Sequence, residues 1–395
     1  MEDVRPVSDF ADEYKKCESV IVLDGVFGSV LSVCKNAQLN GLQTFVVCID
    51  KECCGIYEGS QYITAVYYST IDCLFETFCE IRSTHLLKEK PLLYFTADIY
   101  CMVINKNREY YSQVVVLCLP SSDIIEAFCY KDHSGCIAEK YGLTVPRNIS
   151  INDIHDVETV LNTFIFPVIL KPLSVENHKS VLFKYKILER GEFVAMKSEA
   201  WNSLAGNVLC QEYIPGDDSS YWFYTFFRND KGDVIECMGE KTMQSNGIMA
   251  IGATKFNKEL SKISREFLGK IGYIGIGGIE YKKFNNKYYF IEMSTRTEGF
   301  LPISDMAGVS CADASFQWYV EHNDSYKGKL QQDDVRYISV LSVIAEILRR
   351  KKLKIIFHSI NLMLYRMNSS IVELYFKDGT FARHIRQIIK IKIGI

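Results

Sequence analysis

The chain is 395 residues long, 48% hydrophobic and 24% charged. These are ordinary globular values that exclude global disorder, and the length calls for two or three domains of roughly 100–200 residues each. The formal net charge of −3 excludes a polyanion-binding body. The charge is unevenly placed: Arg349 to Ile395 carries 11 basic and 2 acidic residues, a local +9, which leaves 34 basic and 46 acidic residues, or −12, on the rest. Fourteen cysteines are scattered singly, with Cys53–Cys54 the one adjacent pair and no C-x-x-C spacing. That pattern is neither a disulfide framework nor a zinc site, and fits buried thiols in a reducing cytoplasm. The polar, acidic start at Met1 is unlike a signal peptide, and no uninterrupted apolar window predicts a membrane span.

The first predicted element is a short apolar strand, Ser19 to Leu23, ending at Asp24-Gly25. A helical pattern from Ser29 to Leu39 stops at Asn40-Gly41, and Thr44 to Ile49 is a second apolar strand. Strand, helix, strand at this spacing predicts a parallel βαβ unit. Strands at Pro91 to Phe95 and Val114 to Leu119 complete an open α/β domain over residues 1–125. Helical stretches follow from Asp123 to Lys131 and from Ile137 to Tyr141, closed by Gly142 and an exit turn, Leu143 to Pro146. Phe166 to Leu170, Lys184 to Leu188 and Val208 to Tyr213 read as strands. Tyr221 to Arg228 with Val234 to Gly239 makes a hairpin around Asn229–Gly232. Leu260 to Ile271 is an amphipathic helix, and Gly275 to Phe284 with Lys287 to Glu292 makes a second hairpin around Asn285-Asn286. Antiparallel pairs thus dominate the second part, and no internal repeat is present.

Gly25 and Gly28 lie between the first strand and the first helix, where helix amides can hold an anion. The stretch lacks the third glycine of a dinucleotide fingerprint, so a tight turn is the plainer reading. Lys171 ends an apolar strand and needs an anionic partner or an exit to water. Glu212, in Leu209-Cys-Gln-Glu-Tyr-Ile-Pro-Gly216, offers a carboxylate and free backbone groups beside apolar side chains, which suits adenine. Asp217 and Asp218 follow within reach of ribose hydroxyls, although alone this stretch reads as a polar turn. The strongest feature is Glu280 on one strand and Glu292 on the next. Carboxylates on paired strands can converge on a hard divalent cation. Ser294 and Arg296 alternate with Glu292 and so share its face. Two acids and an arginine on one face suit magnesium and a transferring phosphoryl group, the plainer alternative being a surface ion pair.

Taken in order, these pieces resemble the ATP-grasp superfamily, in particular its carboxylate–amine ligases, from about Ser19 to Gly308. Pro91-Leu-Leu-Tyr-Phe-Thr-Ala-Asp98 is similar to the last strand of the family's N-terminal domain. Tyr130-Lys131-Asp132 before Gly142-Leu-Thr-Val-Pro146 resembles its "D-K" lysine and the turn that follows. Phe166-Pro-Val-Ile-Leu-Lys-Pro172 resembles the lysine strand, Gln211-Glu-Tyr-Ile-Pro-Gly216 the adenine hinge, and Phe290-Ile-Glu-Met-Ser-Thr-Arg296 the metal strand. Ser294 replaces the family's asparagine, and Leu173 to Ser180 has none of the usual phosphate-loop glycines, though it carries His178 and Lys179. The missing Gly-rich loop argues against the biotin-dependent carboxylase branch.

The resemblance implies an α/β ATP-grasp fold: an N-terminal parallel α/β domain (1–125), an ATP-grasp domain (126–325) of two α+β lobes split near 208 and clamping ATP, and a basic extension (326–395). It implies ATP and Mg2+, with Mn2+ as a substitute. Lys131 and Lys171 are assigned to the phosphates, Gln211, Glu212, Tyr213 and Ile214 to adenine, Asp218 to ribose, and Glu280, Glu292 and Ser294 to the metal. Arg296 is assigned to the transferred phosphoryl group, and Lys241, placed on the second hairpin, to phosphate or a substrate carboxylate. The implied partners are a small carboxylate and a small amine, no nucleic acid, and a second copy, since the family is often dimeric. A non-catalytic ATP-binding protein of the same fold and a dehydrogenase resting on the βαβ unit stay open as rival readings. In the tail, Leu353, Ile356, Ile360 and Leu364 form an apolar stripe beside Arg349-Arg-Lys-Lys-Leu-Lys354. It reads first as a helix packed on the acidic body and second as a peripheral contact with an anionic membrane.

Overall fold

The structure is a computed structural model. It describes residues 17–339 except 130, 174–180, 182, 184 and 246, together with 342, 343, 346, 370 and 371. The strand β1 (Ser19–Leu23) is buried along its whole length. It pairs in parallel with β2 (Gln43–Cys48) on one side and β4 (Leu92–Phe95) on the other. Strands β3 (Ala65–Tyr68) and β5 (Val116–Leu117) complete a parallel sheet of order β3-β2-β1-β4-β5. Continuous apolar runs suit such a sheet because helices cover both faces. The first helix starts at Phe27, two residues earlier than its pattern suggested, and ends at Asn40 with Gly41 in the left-handed region at φ 74°. The fifth strand keeps only two residues of its six-residue apolar run. Edge strand β3, half-buried and without strict alternation, escaped the sequence reading.

The two helical stretches after Asp123 are the helices Ser122–Cys129 and Lys131–Lys140, the second beginning six residues earlier than expected and followed by Gly142 at φ 98°. A four-stranded antiparallel sheet follows, formed by β6 (Asn148–Ile151), β7 (Val168–Pro172), β8 (Lys186–Leu188) and β9 (Val208–Glu212) in the order β6-β9-β7-β8. The third sheet contains β10 (Tyr221–Arg228), β11 (Val234–Ser245), β12 (Ile248–Thr254), β13 (Gly275–Phe284), β14 (Lys287–Ser294), β15 (Arg336–Ile338) and β16 (Ser370–Ile371). Its order is β14-β13-β10-β11-β12-β15-β16. Both expected hairpins form. Asn285 and Asn286 sit at φ 48° and 58°, the paired left-handed turn that matches strand twist. Strand β11 runs six residues beyond its expected end, so Lys241 lies there, opposite Gly252 of β12, and not on the Asn285 hairpin.

The Phe27–Leu39 helix packs against the helices Leu301–Met306 and Cys311–Glu321, so one apolar core joins the parallel sheet to β10 and β11. A buried polar cluster fixes this junction: Asp305 accepts from Ser32 Oγ at 2.7 Å and Asn36 Nδ2 at 3.0 Å. Among the described residues no helix is long and apolar enough to cross a membrane. His178, Lys179 and the amphipathic tail lie outside the described residues.

Candidate functional site

A cavity of about 550 Å³ lies between the four-stranded and seven-stranded sheets. That volume suits a nucleotide-sized ligand. Nine of the twelve residues singled out in the sequence line it: Lys131, Lys171, Gln211, Glu212, Tyr213, Ile214, Asp218, Glu280 and Glu292. Lys171 comes from the four-stranded sheet, and Lys131 from the start of the Lys131–Lys140 helix, which packs against β14. Lys171 leaves β7 at its buried end, and its Nζ donates to Gln211 Oε1 on neighbouring β9 at 2.9 Å. The backbone N of Lys131 donates to Leu173 O at 3.0 Å, which ties the start of its helix to the end of β7. Burial brings the Lys171 ammonium down to about 8, and the nearby Lys131 charge adds to this while Glu292 and Glu280 oppose it. Two cations held close in a partly dry cavity favour a polyanionic ligand.

The carboxylates come from the larger lobe. Glu280 and Glu292 are direct cross-strand partners on β13 and β14, with a bulge immediately after Glu280. Like charges at opposed positions repel, so the pair needs a cation. Lys241, fully buried on β11, supplies one: its Nζ donates to Glu280 Oε1 and lies 3.4 Å from Gln244 Oε1. Burial pushes the Glu280 carboxyl up, Lys241 pulls it back, and Glu292 raises it further. Among the described residues no group of three His, Cys, Asp or Glu side chains could by itself hold a metal. Two carboxylates beside a phosphate-binding cavity nevertheless match magnesium, which keeps waters and takes phosphate oxygens for its other positions.

The nucleoside end is set by turns. Asp218 Oδ2 accepts from the backbone of Gln244 at 2.9 Å, which braces the loop after β9 against β11. The Glu212 carboxylate accepts from Ile165 N at 2.9 Å, so its side chain caps the turn before β7. The sequence reading missed Lys282. It stands two residues beyond Glu280 on the same strand and also lines the cavity, with Nζ 4.3 Å from the Tyr213 ring and 4.5 Å from the Tyr221 ring. Burial lowers this ammonium to about 8 against the pull of Asp218 and Asp217. The period-2 alternation that linked Glu292 to Ser294 would have found it from Glu280.

No family model and no curated protein matches the sequence. Solved structures do match. An ADP complex of N5-carboxyaminoimidazole ribonucleotide synthetase aligns at a TM-score of 0.65 and 13% identity, over 85% of each chain. The biotin carboxylase domain of 2-oxoglutarate carboxylase from Hydrogenobacter thermophilus, with MgADP and bicarbonate, gives 0.63 and 14%, over 80% of this chain and 73% of that one. The Staphylococcus aureus N5-carboxyaminoimidazole synthetase with ADP gives 0.60 and 14%, over 76% and 77%. The chain has the ATP-grasp fold. Likeness to biotin carboxylases at this identity is likeness of fold.

In this ATP-grasp chain three of the chosen residues do not line the cavity. Lys241 stands behind Glu280 as its counter-ion. Ser294 is buried at the end of β14, opposite Gly278. The Arg296 guanidinium is turned to the N-terminal sheet, where Nε and Nη2 donate to Asp98 at 2.9 and 3.0 Å. Burial opposes its charge, but Asp98 and Glu298 outweigh that and hold it firmly ionised. The dinucleotide alternative meets a steric fact: a Cβ at Gly25 would stand 2.6 Å from the Ala97 Cβ and 3.1 Å from Thr96 O, so this loop lies tight against the end of β4.

Proposed function

We propose that the protein is an ATP-dependent ligase that joins a small carboxylate to an amine. The observation that carries this reading is one cavity lined by Lys131 and Lys171 together with the Glu280–Glu292 pair. The neighbours of known structure hold ADP, MgADP or bicarbonate, which supports nucleotide and magnesium here. In the proposed reaction a carboxylate oxygen attacks the γ-phosphorus of ATP, the bond to the bridging oxygen breaks, and ADP leaves. The amine nitrogen then attacks the acyl carbon, loses a proton, and expels phosphate, leaving an amide. Magnesium, when bound, neutralises phosphate oxygens.

The chain's own residues align and neutralise charge. Lys131 and Lys171 hold phosphates. Gln211, Glu212, Tyr213 and Ile214 form the base slot, the first by fixing Lys171 and the second by fixing the turn at Ile165. Asp218, with Lys282, faces the ribose end. Glu280 and Glu292 hold the metal, with Ser294 at the buried end of the same strand, and Lys241 prevents the carboxylate pair from repelling itself before the metal arrives. Mn2+ suits the same oxygen set. All fourteen cysteines are free thiols, which supports a reducing compartment such as the cytoplasm. A homodimer, and a tail held on its own body through β15 and β16, complete the proposal.

A second reading, nucleotide binding without ligation, is favoured by Ser294 at the asparagine position and by Arg296 lying away from the cavity. A phosphate-release screen of carboxylate and amine pairs, with mass spectrometry of the products, separates the two. Amide product with stoichiometric phosphate supports the ligase; tight MgADP binding with no phosphate release under any pair supports the second.

A further inference from the structure

The parallel sheet has its topological switch point between β1 and β4, where open α/β sheets usually take ligands. Here the chain itself fills that crevice. The segment leaving β14 crosses it: Thr297 donates from N and Oγ1 to Phe95 O at 3.2 and 2.9 Å, and Ser29 Oγ donates to Glu298 O. A Cβ at Gly299 would stand 3.3 Å from Val26 Cγ1. Arg296 lies at the centre of this crossing and is only 11% exposed. Its fork meets the Asp98 carboxylate in bidentate fashion, at the start of the Asp98–Lys106 helix, while Nη1 meets Thr297 O and Glu298 Oε2, both at 3.0 Å. Three of the five guanidinium N–H groups are thereby donated to partners within the chain, and Glu298 adds an ion pair. A bidentate pair fixes direction as well as distance.

We propose that Asp98 is a positioning residue for the nucleotide site, acting through Arg296. It moors the end of the metal strand, two residues beyond Ser294 and four beyond Glu292, to the N-terminal sheet, and so restrains the Glu292 end of the ladder that pairs it with Glu280. The N-terminal sheet then serves the site as an anchor. The inference rests on the reading of the cavity as a nucleotide–magnesium site.

The test compares wild type, Asp98→Asn and Asp98→Glu in the full chain, with ADP as the probe, by calorimetry with and without Mg2+. Asp98→Asn keeps shape but loses the charge that holds the fork. It is expected to leave metal-free ADP affinity within about twofold and to weaken the Mg2+-dependent gain on the order of 10-fold, as loss of an outer-sphere support does. Asp98→Glu, which keeps the charge, is expected to restore part of that gain. An Mg2+-dependent gain equal to wild type in Asp98→Asn overturns the proposal, and so does a stronger one, which would make Asp98 a competitor for Arg296. Equal losses with and without Mg2+ also overturn it, since they mark a general structural role. If Asp98→Asn does not fold, the Asp98→Glu and Arg296→Lys variants carry the same comparison. Wild-type protein that fails to bind ADP at all removes the nucleotide reading itself, a distinct outcome.

Discussion

Among the described residues two places have the topology to receive a ligand, and they differ in chemistry. The crevice between β1 and β4 lies at a switch point and has glycines beside a helix start, yet Gly25 rests on Ala97 and residues 296–299 lie across the opening. The cavity between the other two sheets has no glycine fingerprint, yet it is lined by the cations Lys131 and Lys171 and the carboxylates Glu280 and Glu292. What separates them is the cost of burying charge: Lys171 and Glu280, although they meet Gln211 and Lys241, are both pushed toward neutrality by burial, a state that an anion and a metal would relieve. The Asp98–Arg296 pair at the crevice is already matched.

The largest expected difference between the regions comes from Lys171→Ala. Loss of a charged donor to phosphate should reduce ADP affinity on the order of 100-fold. The fold should survive, because the side chain ends β7 without completing its core and the ammonium is disfavoured there in the absence of an anion. Calorimetry with ADP and a thermal melt check both halves. Wild-type affinity in the variant would remove Lys171 from the site.

Gly25→Ala probes the other region. Its new methyl meets Ala97 at 2.6 Å, so the β1–β4 junction must shift. Overpacking of this kind costs about 1–3 kcal/mol. Denaturant unfolding should show that loss while ADP affinity, measured below the transition, stays unchanged. A variant that loses ADP binding with its stability intact would put the ligand in the crevice and reverse the comparison.

Glu292→Gln should weaken ADP binding roughly 10-fold more with Mg2+ than without it, because it removes a charged oxygen while keeping the size. Equal losses under the two conditions would make Glu292 structural.

The parts of the cavity that were legible in the sequence are those where a charge ends an apolar run. Lys171, Glu280 and Glu292 each sit on strands whose buried neighbours announce them, and Asn285-Asn286 announces the turn that pairs two of them. The illegible parts depend on long-range register. Asp98 lies 198 residues from Arg296, and Lys241 reaches Glu280 only because β10 intervenes between β11 and β13. The placement of Arg296 depends on such register too: alternation puts it on the face of Glu292, but β14 ends at Ser294 and the guanidinium meets Asp98 beside the parallel sheet. Strand β12, Ile248–Thr254, contains Gly252 and a run of small residues, and it forms because β11 extends far enough to pair with it.

The smallest expected effect, about twofold between pH 7 and 8, is a pH dependence, and it discriminates between two lysines. Lys171 in the free site titrates near 8, below an ordinary lysine, because burial and Lys131 disfavour its charge. A bound phosphate favours the charged form and raises that value. Anion affinity is therefore fully present below about 8 and is lost as pH rises from there toward the bound-state value. For a single such group the ADP affinity should fall about twofold from pH 7 to 8 and roughly 10-fold by pH 9, with proton uptake on binding. Titrations at pH 8 in two buffers of different ionisation enthalpy measure that uptake. Lys282 also titrates near 8, from burial, but it stands between two tyrosine rings at the nucleoside end. Lys282→Gln should leave the slope unchanged if only Lys171 meets phosphate, whereas a shallower slope in this variant would show that Lys282 also contacts the nucleotide's charge. Affinity flat from pH 7 to 9 in the wild type, with no proton uptake, would mean that neither lysine changes its surroundings when ADP binds, and the anion would then have to lie elsewhere.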